Sequence, residues 1–195
     1  MTSAFDLHRR TQRVIEANPG LSGTRKAGLV IVLTGHGKGK STAAFGMAWR
    51  AIARNMKVGV VQFIGSEQPC AEFLTLGQQP LCEFKVFGTG RDWERPARIE
   101  SHAHALAAWL DAKRMMADPD LNMLILDDIH PMLHHQFLNL DTVLRALQRR
   151  RADLHVVLTG RHAPYELRDR ADLVTDMQPA KHPYPAVCAQ AGIEF

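Results

Sequence analysis

Leu29-Val-Ile-Val-Leu33, followed directly by Thr34-Gly-His-Gly-Lys-Gly-Lys-Ser-Thr42, is the stretch on which the fold turns. Five consecutive apolar residues with no polar alternation belong to a strand buried on both faces, as in the middle of a parallel sheet. The glycines break that strand, and Ser41 to Arg54 reads as a helix. The same grammar repeats outward. Val58-Gly-Val-Val-Gln-Phe-Ile64 is a second strand, and Phe84-Lys-Val-Phe87 a third, closed by Gly88-Thr-Gly90. Met123-Leu-Ile-Leu126 is a fourth strand that ends in Asp127-Asp128. Leu154-His-Val-Val-Leu158 is a fifth and Leu173-Val-Thr175 a short sixth. Helical spacing runs from Ala97 to Ala117, with Leu106, Trp109, Leu110, Met115 and Met116 as its core face, and again from Leu140 to Arg149. Residues 65–81 have no clear period and contain Pro69 and Pro80, so a long loop with at most a short helix is expected. Strands alternating with helices predict an α/β fold: a doubly wound, mostly parallel sheet of about six strands with helices on both faces. In such sheets ligands sit beyond the carboxyl ends of the strands.

The chain has 195 residues, 46% of them apolar, enough for one α/β domain with a real core; two full domains would be cramped. Residues 27–195 form that domain. Residues 1–26 read as an appended arm, with a partial helical stripe of Leu7, Val14 and Ile15 that ends in Asn18-Pro-Gly-Leu-Ser-Gly23. The first 18 residues lack the apolar centre of a secretory signal, and no apolar run approaches the ~20 residues that span a bilayer. A cytoplasmic protein without membrane partners is therefore expected. Cys70, Cys82 and Cys188 are scattered and odd in number, which predicts free buried thiols rather than disulfides or a zinc site. A net charge of +4 does not argue for nucleic acid. The densest basic run, Arg149-Arg-Arg151, reads as a solvated helix end.

The glycine-rich segment carries the first chemical signal. Gly35, Gly37 and Gly39 let backbone N–H groups turn inward into an anion nest, and the following helix aims its positive end at the same place. Lys40 adds a point charge, while the hydroxyl of Ser41, or of Thr42, can ligate a phosphate-bound Mg²⁺. Without an anion, Lys38 and Lys40 would repel each other at a helix start. The segment departs from G-x-x-x-x-G-K-[ST]: Thr34 stands where the first glycine belongs, and the glycine comes at Gly35. It is a variant phosphate loop, and its ligand a nucleoside triphosphate, ATP.

Three further constellations fall at strand ends. Asp127 and Asp128 suit Mg²⁺ (or Mn²⁺), since a hard cation prefers oxygen; Asp there also caps helices. Thr159-Gly-Arg161 places an arginine that can clamp phosphates bidentately, or form a surface salt bridge. Gly88-Thr-Gly-Arg-Asp-Trp-Glu94 sets Trp93 between glycines and charges, either to stack on a flat ligand or to pack on the surface. His130, His134 and His135 follow the carboxylates. His130 and His134 have the i, i+4 spacing of metal ligands on a helix, with Pro131 in its first turn, but no third ligand is apparent.

Taken together, these residues resemble the ATP:corrinoid adenosyltransferases of the P-loop, cobalamin-biosynthesis type. The similarity runs from about Gly28 to Phe195. It rests on Thr-Gly-His-Gly-Lys-Gly-Lys-Ser-Thr-Ala-Ala-Phe-Gly-Met-Ala, Val-Gly-Val-Val-Gln-Phe-Ile, Leu-Ile-Leu-Asp-Asp, Leu-Thr-Gly-Arg, Ala180-Lys-His182 and the closing Ala-Gln-Ala-Gly-Ile-Glu-Phe. The resemblance implies a P-loop NTPase fold of RecA-like type and a reaction in which the Co(I) of a corrinoid attacks the 5′-carbon of ATP and displaces triphosphate. It implies that Gly35, His36, Gly37, Lys38, Gly39, Lys40, Ser41, Thr42 and Arg161 bind ATP, and that Lys40, Asp128 and Arg161 serve catalysis. Ser41, Asp127 and Asp128 would hold the metal, and Arg91, Trp93 and Glu94 would meet the corrinoid. The arm would cover the site, a flavoprotein would donate electrons, and the enzyme would be a homodimer.

The chain departs from the family pattern at four places. Arg91 replaces the Phe of an aromatic Phe-x-Trp loop, Asp128 replaces Glu, Gly65 stands where a lysine follows Phe-Ile, and His36 replaces an asparagine. A weakened paralogue that binds ATP and a corrinoid as sensor or carrier is the alternative these changes suggest. An ordinary P-loop ATPase is a third reading.

Overall fold

The computed structural model describes residues 27–65, 70–88, 98–183 and 185–193. Six strands alternate with helices: β1 (Val30–Thr34), α1 (Lys40–Ile52), β2 (Lys57–Gln62), α2 (Ala71–Leu76), β3 (Cys82–Val86), α3 (Arg98–Met116), β4 (Leu121–Asp127), α4 (Ile129–His134), α5 (Leu140–Arg149), β5 (His155–Thr159), α6 (Tyr165–Asp169) and β6 (Leu173–Asp176). The sheet order is β3-β2-β4-β5-β1-β6. Every pair of neighbours is parallel, not merely most of them.

Period-2 alternation divides each central strand between two cores. On one face Val30, Val32, Leu124, Leu126, Val156 and Leu158 pack with α3, α4, α5 and α6. On the other Ile31, Leu33, Val58, Val60, Ile125 and Val157 pack with α1 and α2. Burial on both faces is the reason β1 and β4 read as continuous apolar runs. The edge strand β6 is exposed along its length.

Three expectations are corrected. On α3, Trp109 and Met115 are buried, but Leu106 and Leu110 are exposed, so the apolar stripe is narrower than the spacing suggested. Cys70 and Cys82 are half-buried free thiols, whereas Cys188 is exposed. The basic run is not simply a solvated helix end. Arg150 donates to the carbonyl oxygens of Leu147 (2.9 Å), Leu154 (3.2 Å) and Gly28 (2.8 Å). Arg151 donates to those of Asp118 (2.9 Å), Pro119 and Leu121 (2.6 Å). The two guanidiniums thus collect orphan carbonyls at the end of α5 and before β1 and β4. Of the short helices, α4 lies where the spacing of His130 and His134 suggested a helix with Pro131 in its first turn, whereas α6 has no counterpart in the sequence reading. No helix among the described residues is long and apolar enough to cross a membrane.

Candidate active site

The carboxyl ends of β2, β4, β5 and β1 bring Gln62, Asp127, Thr159 and Thr34 into one row. The phosphate loop springs from the last of these. Gly35 and Gly39 take φ of +95° and +113°, left-handed values that suit glycine. The loop also lies hard against the segment after β6. A Cβ on Gly35 would stand 2.3 Å from both the Asp176 carboxylate and the Met177 carbonyl oxygen. The Gly37 N–H donates to that Met177 oxygen (2.6 Å), so this amide faces the backing strand rather than an anion nest.

Behind the loop, α1 starts without a side-chain cap and without an acid in its first turn. Its orphan N–H groups and dipole are left to an anion. Lys40 Nζ donates to Gly37 O (2.6 Å), folding back on its own loop. Burial lowers the Lys40 pKa, and the nearby Arg161 lowers it further, against the pull of Asp128, Asp127 and Asp176. Two cations that act on each other in this way would be relieved by an anion between them.

Asp127 is fully buried. It accepts from Thr159 Oγ1 (2.7 Å), from Gln62 Nε2 (3.0 Å) and from Ser41. Burial still drives its pKa upward. Asp128 adopts φ +56° and ψ +33°, a left-handed conformation that a β-carbon makes costly, with its N–H donating to Thr159 Oγ1 (3.0 Å). That kink turns it to the cleft, whose lining it joins. Burial, and then the charge of Asp127, push its pKa up to about 7, against Lys40 and Arg161. Asp127, Asp128 and the Ser41 hydroxyl are the oxygen donors here that could hold a hard divalent cation.

The cleft before the loop has a volume of about 440 Å³. Lys38 to Thr42 form one wall, and Gln62, Ile64, Gly65, Cys70 and Glu72 another; Gly192 and Ile193 close it from the C-terminus. Gly35, His36, Gly37 and Arg161 are not in that lining, and Asp127 lies beneath it. Arg161 is exposed but near enough to act electrostatically on both Lys40 and Asp128. Arg91, Trp93 and Glu94 fall outside the described residues.

Some supporting residues escaped the sequence reading. Gln62 and Thr159 orient Asp127, Met177 backs the loop, and His130 holds the turn that carries Arg161. His130 is wholly buried, and its Nδ1 lies 2.9 Å from Gly160 O. Because a carbonyl only accepts, Nδ1 carries the proton. Nε2 has no hydrogen-bond partner among the described residues, and burial lowers the imidazole pKa to about 4. Gly160 itself has φ +131°, and a Cβ there would meet Pro131 Cδ at 2.6 Å. The i, i+4 pair therefore does not converge on a metal: His130 points into the core and His134 into solvent. Among the described residues no group of three or more His, Cys, Asp or Glu has metal-holding geometry.

Comparison with known proteins identifies the family. The chain is 43% identical over 169 residues to the corrinoid adenosyltransferase CobA of Salmonella typhimurium, covering 86% of each chain. It is 43% identical over 170 residues to a corrinoid adenosyltransferase of Pseudomonas aeruginosa, covering 86% of this chain and 84% of the relative. With a corrinoid adenosyltransferase of Escherichia coli K12 the identity is 41% over 169 residues, again 86% of each. Residues 26–195 match the family described as ATP:corrinoid adenosyltransferase BtuR/CobO/CobP, and the chain belongs to that family.

Proposed function

We propose that this chain transfers the 5′-deoxyadenosyl group of ATP to the Co(I) of a corrinoid and releases triphosphate, in the biosynthesis or salvage of adenosylcobalamin. The observation that carries the proposal is the juxtaposition of an uncapped α1 N-terminus, Lys40 and Arg161 with the carboxylate pair Asp127–Asp128. No nucleophilic side chain is needed. The corrinoid cobalt supplies the electron pair that forms the cobalt–carbon bond, and the pair of the breaking C5′–O bond departs with triphosphate.

The protein's task is alignment and charge stabilisation of the leaving group. On this reading Lys40 leaves Gly37 O for the phosphates, and Arg161 balances the charge that develops as triphosphate departs. Ser41, Asp127 and Asp128 hold Mg²⁺ or Mn²⁺, which neutralises phosphate charge when bound. Residues 1–26 cover the site, and Arg91, Trp93 and Glu94 face the corrinoid. A flavoprotein supplies the electrons that make Co(I), and the working enzyme is a homodimer.

The test is anaerobic incubation with ATP, Mg²⁺ and chemically prepared Co(I) cobalamin, followed by its visible spectrum. A photolabile cobalt–carbon product supports the proposal. Binding of ATP and cobalamin without that product assigns the chain to the sensor or carrier class, and binding of neither overturns both readings. Starting from Co(II) with a reductant, Arg91→Phe is expected to raise the rate while leaving the rate from Co(I) nearly unchanged.

A further inference from the structure

Four imidazoles meet at the rim of the phosphate loop. His36 belongs to the loop, and its ring meets that of His162 edge-on, with centroids 4.9 Å apart. His162 directly follows Arg161 and stacks on His134 at 4.7 Å and 24°. His134 in turn meets His135 at 5.0 Å, and His135 rests on Phe137. All four histidines are exposed. His162 is held there at φ +59°, a conformation that a residue with a Cβ adopts only at a cost.

The electrostatics of the group are one-sided. Desolvation, then His134, His36, Arg161 and His135, hold the His162 pKa below its ordinary value. The loop also carries Lys38 and Lys40, and α4 carries, besides His134, the buried His130, whose pKa burial lowers to about 4. The acids of the neighbouring loop and carboxylate pair have other partners: Asp127 bonds Thr159 and Gln62, Asp176 bonds Gln178, and Asp128 interacts with Lys40. Among the described residues no ion pair joins this packed set of bases to an acid. An anion placed against it would supply the missing counter-charge and draw protons on. The same histidines do not form a metal-holding group.

We propose that His36, His134 and His162 form a second anion-binding surface, continuous with the phosphate loop, that grips the outward end of a bound triphosphate and takes up protons as it does so. This rests on the loop being a triphosphate site and names how that site is extended. Binding raises the histidine pKa values above those of the empty protein. Affinity is therefore greatest below the pKa of the empty protein and falls as pH rises through the raised value. Free triphosphate carries more charge than the triphosphate chain of ATP, so the surface favours the departing group over the substrate.

Calorimetry with inorganic tripolyphosphate and Mg²⁺ tests this, run at about pH 6, 7 and 8.5 in two buffers of different ionisation enthalpy. Wild type is compared with the double variant His134→Gln, His162→Gln; protonation of the ligand itself is common to both and cancels. The expected result is proton uptake on binding that exceeds the variant's, with about tenfold tighter binding by wild type near pH 6 and near-equal binding near pH 8.5. Equal affinities and equal proton counts at every pH overturn the proposal and leave the phosphate loop reading intact. A difference that appears only on adding zinc also overturns it, in favour of a metal site. Failure of wild type to bind either tripolyphosphate or ATP at any pH overturns the loop reading as well.

Discussion

Asp128 concentrates the cost of the site in one residue. It combines a left-handed backbone with a carboxylate whose pKa is pushed up to about 7 by burial and by Asp127. A carboxylate with a raised folded pKa costs stability when ionised, and the cost fades as pH falls from about 7 toward its ordinary value of 3.8. Asp128→Asn is therefore expected to stabilise the ligand-free protein by about 1–2 kcal/mol near pH 8, by denaturant titration, with the gain shrinking toward pH 4. The same variant is expected to lose at least tenfold in Mg²⁺-dependent ATP affinity. A neutral or destabilising effect near pH 8 would show that the buried charge is already compensated. Lys40→Met, which removes a charge aimed at the leaving group, is expected to lower kcat/KM by about 10²–10³-fold. The glycines and Lys40 were legible as a phosphate loop because the whole motif is local. Gln62 and Thr159 lie in stretches the sequence singled out, but their role was not legible, because they reach Asp127 across 65 and 32 residues.

At the scale of elements, α4 connects the carboxylates to the arginine. Its His130 bonds Gly160 and is buried in its neutral form, with a pKa lowered from 6.5 to about 4. This stabilisation is full above pH 6.5 and is lost as pH falls toward 4, the opposite sign to Asp128, so each effect is visible only against its own variant. The stability of wild type relative to His130→Gln is expected to fall by roughly 3 kcal/mol between about pH 7 and pH 4. An unchanged difference would mean that the imidazole takes up its proton in the fold as readily as in the unfolded chain. Gly160→Ala, at φ +131° and against Pro131, is expected to cost about 2–3 kcal/mol and to lower activity by displacing Arg161. α4 and α6 span six and five residues, too few to display a helical period; α4 was suggested only by the spacing of His130 and His134, and α6 was not read from the sequence. By contrast, α5 carries Asn139 as its N-cap, accepting from Thr142 N at 3.0 Å, and its bounds were read correctly.

Across the whole molecule, the sheet order brings β1 and β4 to either side of β5, so that phosphate loop and carboxylates share one edge. Alternating burial in β1, β4 and β5 made this architecture readable, since a strand covered on both faces leaves an unbroken apolar run. The narrow stripe of α3 was not readable: Leu106 and Leu110 have core spacing but lie outside the face that meets the sheet. Arg151 ties the turn before β4 to the end of α5, and Arg151→Ala is expected to cost about 2–3 kcal/mol in chemical unfolding by orphaning those carbonyls. The fold's purpose, on this account, is to hold triphosphate as a leaving group rather than to pass on its terminal phosphate. The phosphorus NMR spectrum of the products, after ATP and Co(I) corrinoid have been turned over, tests that most directly. The account predicts inorganic triphosphate in amount equal to the alkylated corrinoid; ADP and orthophosphate in its place would contradict it.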